Sequence, residues 1–286
     1  MFKEIAIDPA AATTSYRDFN YIIEMFGIHE GRLIAAFPSK WKRLVYQAAE
    51  EKHKGTLELS KIQVRLSQLS DSSFVRRNRP GAGCETNWLQ AAVNEHARLP
   101  FDGIISTQNS TNPPVVAAEE LDGSHPLKAP NRQWNILRRA KEMSECCAPI
   151  LNGCKHVKLI DPYFDAGAPR FQNPFLEILK YVDEEAIVDI FHGDDRFRPE
   201  LAISRLDQAL KKVKLGGIRV RLFLSPQAAM HNRFVLSEIG GVAFHIGLDE
   251  DWSTDRPEDI VHVLQENIRL NEWLKYSSDN PIFCWE

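Results

Sequence analysis

Hydrophobic positions recur along this chain in two rhythms. In the front part, "SKWKRLVYQAAEEK" carries Trp41, Leu44, Val45 and Ala48 at helical spacing, with Ser39 placed to cap the first turn. "LELSKIQVRLSQL" puts Leu59, Ile62, Leu66 and Leu69 on one stripe, and "ETNWLQAAVNEHA" gives a third helix. "KEIAID" and "FDGIIS" read as short strands. The pattern predicts an α/β region made mostly of helices.

The back part alternates strand and helix. "RQWNILRRAKEMSECC" reads as a helix and "HVKLIDPYF" as a strand ending at Asp-Pro. "NPFLEILKYV" follows as a helix with Pro174 in its first turn, then "EAIVDIFHG" as a strand. "PELAISRLDQALKKVKLGG" is a helix with Leu206, Leu210 and Val213 on one face and glycines to stop it, and "IRVRLFLSP" is the next strand. Two further strands fall within "MHNRFVLSEIGGVAFHIGLDED", residues 230–251. "RPEDIVHVLQENIRLNEWLKY" reads as a closing helix capped by Thr254 or Asp255, with Pro257, Glu258 and Asp259 in its first turn. This order implies parallel neighbours joined by right-handed crossovers. Residues 106–130, rich in proline and small polar residues, read as a linker or long loop. The expectation is an α/β domain over 1–125 and a second α/β domain over 126–286, a mixed sheet flanked by helices.

In such sheets, sites gather beyond the carboxyl ends of the strands. That rim would carry Asp161 and Tyr163, then His192, Asp194 and Asp195, then Ser225, Gln227 and His231.

Composition narrows the classes. The chain has 286 residues, 43% of them hydrophobic, and a net charge of −4, which argues against coating nucleic acid by bulk charge while allowing a local basic groove. Five cysteines, an odd number, suit a reducing cytoplasm better than a disulfide scaffold. Cys146, Cys147 and Cys154 lie near His156, but a second C-x-x-C half is missing, so buried thiols are expected rather than zinc. "MFKEIAIDPAAATTSYRD" has no basic leader followed by a long apolar run, and no segment is long enough to span a bilayer, so a cytoplasmic protein without membrane contact is expected. "GAGCE" lacks the lysine and spacing of a phosphate loop.

His231, Arg233 and Glu238 have the spacing H-x-R-x-x-x-x-E. A neutral imidazole can attack a phosphodiester phosphorus. A cation two residues along a strand projects to the same side and can hold the phosphate oxygens. A carboxylate can fix the imidazole tautomer. The pattern resembles the H-x-K-x-x-x-x-D signature of the phospholipase D superfamily with both charged partners exchanged for like-charged ones. Gly247-Leu248-Asp249-Glu250 stands where that family has a Gly-Ser-x-Asn element, and "LIDPYF" (159–164) is similar to its opening strand. The resemblance covers residues 131–286.

The resemblance implies catalysis by His231, Arg233 and Glu238, with Asp161, Tyr163, His192, Asn232, Gly247 and Asp249 binding phosphate or supporting the site. Glu238 or Asp161 would orient the imidazole. No metal or cofactor is implied, because side chains supply the cations. One motif copy implies a homodimer that pairs two His231 side chains. The implied activity is that of a nuclease, in a prokaryotic mobile-element or antiviral-defence setting. The other reading is a module that has lost turnover and serves a multiprotein or nucleic-acid assembly. The acidic run Asp249, Glu250 and Asp251 weighs against activity, since like charge there would repel an anion.

Three signals are weaker. His156-Val157-Lys158 also reads H-x-K but runs into a buried strand. "AIDP" at 6–9 echoes "LIDP" at 159–162. Lys40, Lys42, Arg43, Arg76, Arg77 and Arg79, and Arg132, Arg138, Arg139 and Lys141, form basic clusters near Trp41 and Trp134. A nucleic-acid surface would use them, but solvated helix faces are the ordinary reading.

Overall fold

The computed structural model describes residues 1–286 except 111–114, 122–124, 130, 196, 214–215 and 254–256. The chain is mixed α/β and divides into two compact units, Phe2–Asn131 and Arg132–Glu286, the latter taking in Met1.

The first unit runs β1 (Lys3–Ile7), α1 (Pro9–Ala12), α2 (Tyr16–Ile23), β2 (Arg32–Ala35), α3 (Trp41–His53), α4 (Leu57–Gln68), β3 (Phe74–Val75), α5 (Trp88–Arg98), β4 (Gly103–Ser106) and β5 (Val115–Ala117). The strands form one parallel sheet in the order β3-β2-β1-β4-β5. Alternation along β1 and β4 sorts the core into two layers. Ile5, Ile7 and Ile105 pack with Phe19, Trp41, Val45 and Ile62 from α2, α3 and α4. Ala6 and Ile104 pack with Phe37, Trp88 and Ala92 on the α5 side. Arg79 does not lie on a solvated helix face. It is 5% exposed, pairs with Glu4 at 2.8 Å and Glu95 at 2.9 Å, and sits 4.0 Å over the Phe101 ring.

Two expectations change here. Lys40, not Ser39, precedes α3, and it makes no side-chain cap. The segment expected to be a linker includes β5, which completes the parallel sheet. Its "VVA" is too short to stand out as a strand among prolines and small polar residues.

The second unit runs β6 (Gln133–Leu137), α6 (Ala140–Leu151), β7 (His156–Ile160), α7 (Pro169–Leu179), β8 (Ile187–Gly193), α8 (Pro199–Leu210), β9 (Arg219–Ser225), β10 (Arg233–Ser237), β11 (Gly241–Phe244), β12 (Glu258–Val263), α9 (Glu266–Lys275) and β13 (Phe283–Trp285). Its sheet has the order β13-β9-β8-β7-β10-β11-β12-β6. β7, β8 and β9 are parallel, and the other pairings are antiparallel. One face buries Ile160, Phe191, Phe223, Phe234, Leu236 and Tyr276 in a cluster joined by Trp273 of α9. On the other face, Phe171, Phe175 and Ile178 of α7 meet Leu159 and Ile190.

Two helices expected here begin as strands. "QWNIL" is β6, and "EDIVHV" is β12, its antiparallel partner. Their polar–apolar alternation has period two, and pairing along the sheet edge outweighs the helical spacing of the residues that follow. Thr254 and Asp255, expected caps, lie outside the described residues. α9 starts at Glu266 instead. Pro169, not Pro174, occupies the first turn of α7, and Pro174 lies inside that helix.

The amino ends of β7, β8 and β9 are tied by charge. Asp189 on β8 accepts from Arg221 Nε at 2.7 Å and Nη2 at 2.8 Å, and from His156 Nε2 at 2.7 Å. Burial pushes its carboxyl up, but the hydrogen bonds from His156 and Arg221 outweigh burial, and the net direction is down. A depressed carboxylate stabilises the fold above its unfolded value, near pH ~4, and that contribution is lost as pH falls through the folded value. Denaturant midpoints followed from about pH 6 to about pH 2.5 will therefore fall more steeply for the wild type than for Asp189→Asn.

Candidate functional site

The segment that names the candidate chemistry lies at the rim where β7 ends and β10 begins. β10 pairs antiparallel with β7 through Phe234 and Ile160. One step further, Arg233 stands across from Asp161 at the carboxyl end of β7. Phe234 and Leu236 enter the α9-side core. Ser237 hydrogen-bonds the Ile150 carbonyl of α6 at 2.6 Å. Alternation thus places Arg233, Val235 and Ser237 on the α6 side.

Asp161 organises this rim. It is 2% exposed, and its two oxygens accept the backbone N–H of Tyr163 at 2.8 Å and of Leu248 at 3.0 Å. Burial pushes its carboxyl up. The two N–H donors and the charge of Arg233 act against that, Asp249 adds to it, and the net direction is up. Both oxygens are thus spent on backbone, tying the turn after β7 to the loop after β11. A Cβ at Gly247 would lie 2.5 Å from Asp249 Oδ1, so a larger residue there would displace that carboxylate.

His231 and Asn232 are exposed, and Arg233 is half-buried. Arg233 donates from Nη1 to the His231 carbonyl at 3.1 Å and lies 5.5 Å from the centre of the Tyr163 ring, itself 55% exposed. Its Nε is buried without a hydrogen-bond partner. The guanidinium therefore has one committed donor and one unpaired one, beside an exposed phenol ring and two residues from an exposed histidine.

The acidic run is held differently from its sequence expectation. Arg138 donates to Asp249 at 2.6 Å and to Asp251 at 3.1 Å, and Arg170 stands 3.8 Å from Asp249. Glu250 is buried and accepts from the Ala140 N–H and the Asn173 amide, each at 2.8 Å. All three carboxylates are engaged within the unit, so the expected repulsion of an anion is reduced. Asp259 is 2% exposed and accepts the Ile246 N–H at 3.1 Å, pinning the same loop from β12.

Glu238 is not part of this rim, which corrects its assignment as a catalytic or orienting group. It follows the far end of β10, about 20 Å along the chain from His231 at strand rise. Its carboxylate accepts the backbone N–H groups of Lys155 and His156. His192 ends β8 on the correct side, its ring 4.9 Å from Phe197, but no hydrogen bond or ring contact joins it to His231 or Arg233. His156 and Lys158 lie toward the amino end of β7, away from Asp161. Lys158 is buried and donates to the Trp273 and Tyr276 carbonyls at 2.9 and 2.6 Å, closing the end of α9.

Arg138, Arg170, Asn173 and Asp259 were not singled out as site residues in the sequence. Arg138 was legible only as part of a basic cluster on a helix, whereas it sits at the β6–α6 junction, 6% exposed. The alternation in "QWNIL" and "EDIVHV" was the signal that would have placed Arg138 and Asp259.

The cysteines are not arranged as a metal centre. Cys146 and Cys147 are buried in α6, Cys154 is buried just after it, and burial pushes the Cys154 thiol up to about 12. Among the described residues, no group of three or more His, Cys, Asp or Glu is placed to hold a metal ion.

No family model matches the chain. No curated protein matches it either. Among solved structures, it is similar to Nuc of Salmonella typhimurium, a phospholipase D family member, at 11% identity and a TM-score of 0.34, over 50% of this chain and 90% of that one. NucT from Helicobacter pylori aligns at 11% identity and a TM-score of 0.34, over 51% and 92%. TrmBL2, an archaeal chromatin protein described with a novel mode of DNA binding, aligns at 11% identity and a TM-score of 0.29, over 84% and 80%. Among the described residues, no helix is long and apolar enough to cross a membrane.

Asp161→Ala would leave two N–H donors without an acceptor. The expected loss is about 2–6 kcal/mol at one to three for each orphaned donor, read as a lower urea midpoint for the second unit.

Proposed function

We propose that the second unit is a phospholipase D-like phosphodiesterase, a metal-independent nuclease in which two copies of the chain each supply His231 to one phosphate. The observation that supports this reading best is the Arg233 guanidinium. It is half-buried near Asp161, with Nη1 on the His231 carbonyl and Nε unpaired, two residues from an exposed histidine. Such a group holds a phosphate with two parallel hydrogen bonds. Tyr163, exposed beside it, offers a ring on which a base stacks, which favours nucleic acid as the substrate.

In the first step, a ring nitrogen of one His231 attacks phosphorus. The N–P bond forms as the P–O bond to the leaving sugar oxygen breaks, and the protonated His231 of the second copy gives its proton to that oxygen. The second imidazole then takes a proton from water. The water oxygen displaces the first histidine, regenerating it and releasing a phosphate monoester. Arg233 holds the non-bridging oxygens throughout. With Glu238 remote and Asp161 committed to backbone donors, the orientation of the ring falls to the β10 entry itself.

A second reading has one observation in its favour. Glu250 stands where the family offers a neutral amide, and it is turned inward onto the Ala140 N–H and the Asn173 amide. A site without that amide suits a module that binds a phosphate backbone and does not cut it.

Labelled DNA and RNA incubated in excess EDTA separate the two. Cleavage that persists in EDTA, vanishes in His231→Ala and drops about 10²–10³-fold in Arg233→Ala supports the enzyme. Binding without cleavage, weakened by Arg233→Ala, supports the module. A strictly monomeric protein that cuts would sink the paired-histidine mechanism.

A further inference from the structure

The first unit has a cavity of about 640 Å³, of the size that takes small organic ligands. Its position follows from topology. The chain starts in the central strand β1, builds outward through β2 and β3, and returns to β4 on the other side of β1. The point between the carboxyl ends of β1 and β4 is where open α/β sheets bind ligands. Asp8 follows β1 there and Ser106 ends β4, and both line the cavity with Gln47, Glu51, Asn87 and Gln108.

Asp8 is 8% exposed. It accepts the Ala10 N–H at 2.9 Å and the Ser106 hydroxyl at 3.0 Å, and among the described residues no cation pairs with it. Burial pushes its carboxyl up, and the hydrogen bonds from Ala10, Ser106 and Ala11 oppose this without reversing it. The acid therefore sits in the wall of a polar cavity with its charge uncompensated.

The rest of the wall defines what fits. Among the described lining residues there is no lysine, arginine or histidine, whereas three carboxylates are present: Asp8, Glu51 and Glu85. Glu85 is neutralised by Arg43 at 2.9 Å; Asp8 and Glu51 have no such partner among the described residues. The turn after β1 is Asp8-Pro9-Ala10, so Pro9 removes an N–H where a phosphate-binding turn would offer one. A nucleotide phosphate would meet the like charge of Asp8 and Glu51 with no cation in the described lining. Cys84 is no nucleophile here, since burial, then Glu85 and Glu95, push its thiol up to about 11.

We propose that this cavity is a binding site for an amine-bearing small organic cation, held by Asp8 at the β1–β4 switch point and by Glu51 of α3. It is independent of the phosphodiesterase reading, since every residue it uses lies in the first unit.

Isothermal titration of the full chain with spermidine tests this, with adenosine and inorganic phosphate as uncharged and anionic comparisons. Spermidine should bind, and the affinity should fall at least about tenfold in Asp8→Asn, the loss of one charge-assisted hydrogen bond. Because Asp8 also holds Ala10 and Ser106, Glu51→Gln, a change on the exposed side of α3, serves as the variant that leaves the fold intact, and it should weaken spermidine as well. Equal binding by wild type and Glu51→Gln, no spermidine binding, or binding of adenosine or phosphate in its place would each overturn the proposal.

Discussion

The second unit's rim depends on one buried carboxylate. Asp161 accepts one N–H from the turn that follows it and one from Leu248, far along the chain. A single side chain thereby joins the end of the first parallel strand to the loop after the β10–β11 hairpin. The cost of burying that charge is partly offset by two backbone donors and by the guanidinium across the strand pair. What the rim can present to solvent follows from this. With Asp161 turned to the backbone, the rim presents His231, Asn232 and Tyr163 to solvent, with Arg233 half-buried among them.

The charges around that rim are arranged as compensation. Arg138 lies between two aspartates that would otherwise repel an incoming anion, and Glu250 is taken inward by a helix N–H and an asparagine. Arg233 on β10 takes no part in this compensation; it contacts the His231 carbonyl and the Tyr163 ring. A loop that reads as hostile to phosphate in the linear sequence has each of its carboxylates engaged once folded. The groups that engage them come from the β6–α6 junction, α6 and α7, more than seventy residues earlier in the chain at the nearest (Asn173 against Glu250).

How much of this could be read beforehand varied by element. The order of β7 to β9 with α7 and α8 was legible, because long apolar runs bounded by glycine and proline have few alternatives. The hairpin carrying His231 and Arg233 was legible for the same reason. β6 and β12 were not, because each adjoins a true helix and the helical period extends across the boundary. That error hid Arg138 and Asp259, whose roles exist only once those two strands pair. Glu238 was misplaced for another reason. A motif spacing does not make its members neighbours: in an extended strand, seven residues carry Glu238 to the opposite end from His231. In the first unit, β5 was lost to its prolines, and with it the full extent of the parallel sheet. Asp8 appeared only as an echo of "LIDP", although it ends the central strand.

The distribution of thiols has a practical consequence. Of the five cysteines, four are buried and Cys284, on the edge strand β13, is exposed. A maleimide fluorophore applied briefly to the folded protein will attach at that one place. Site-selective dye attachment for anisotropy or energy-transfer work is thus open to the unmodified chain, with no engineered cysteine.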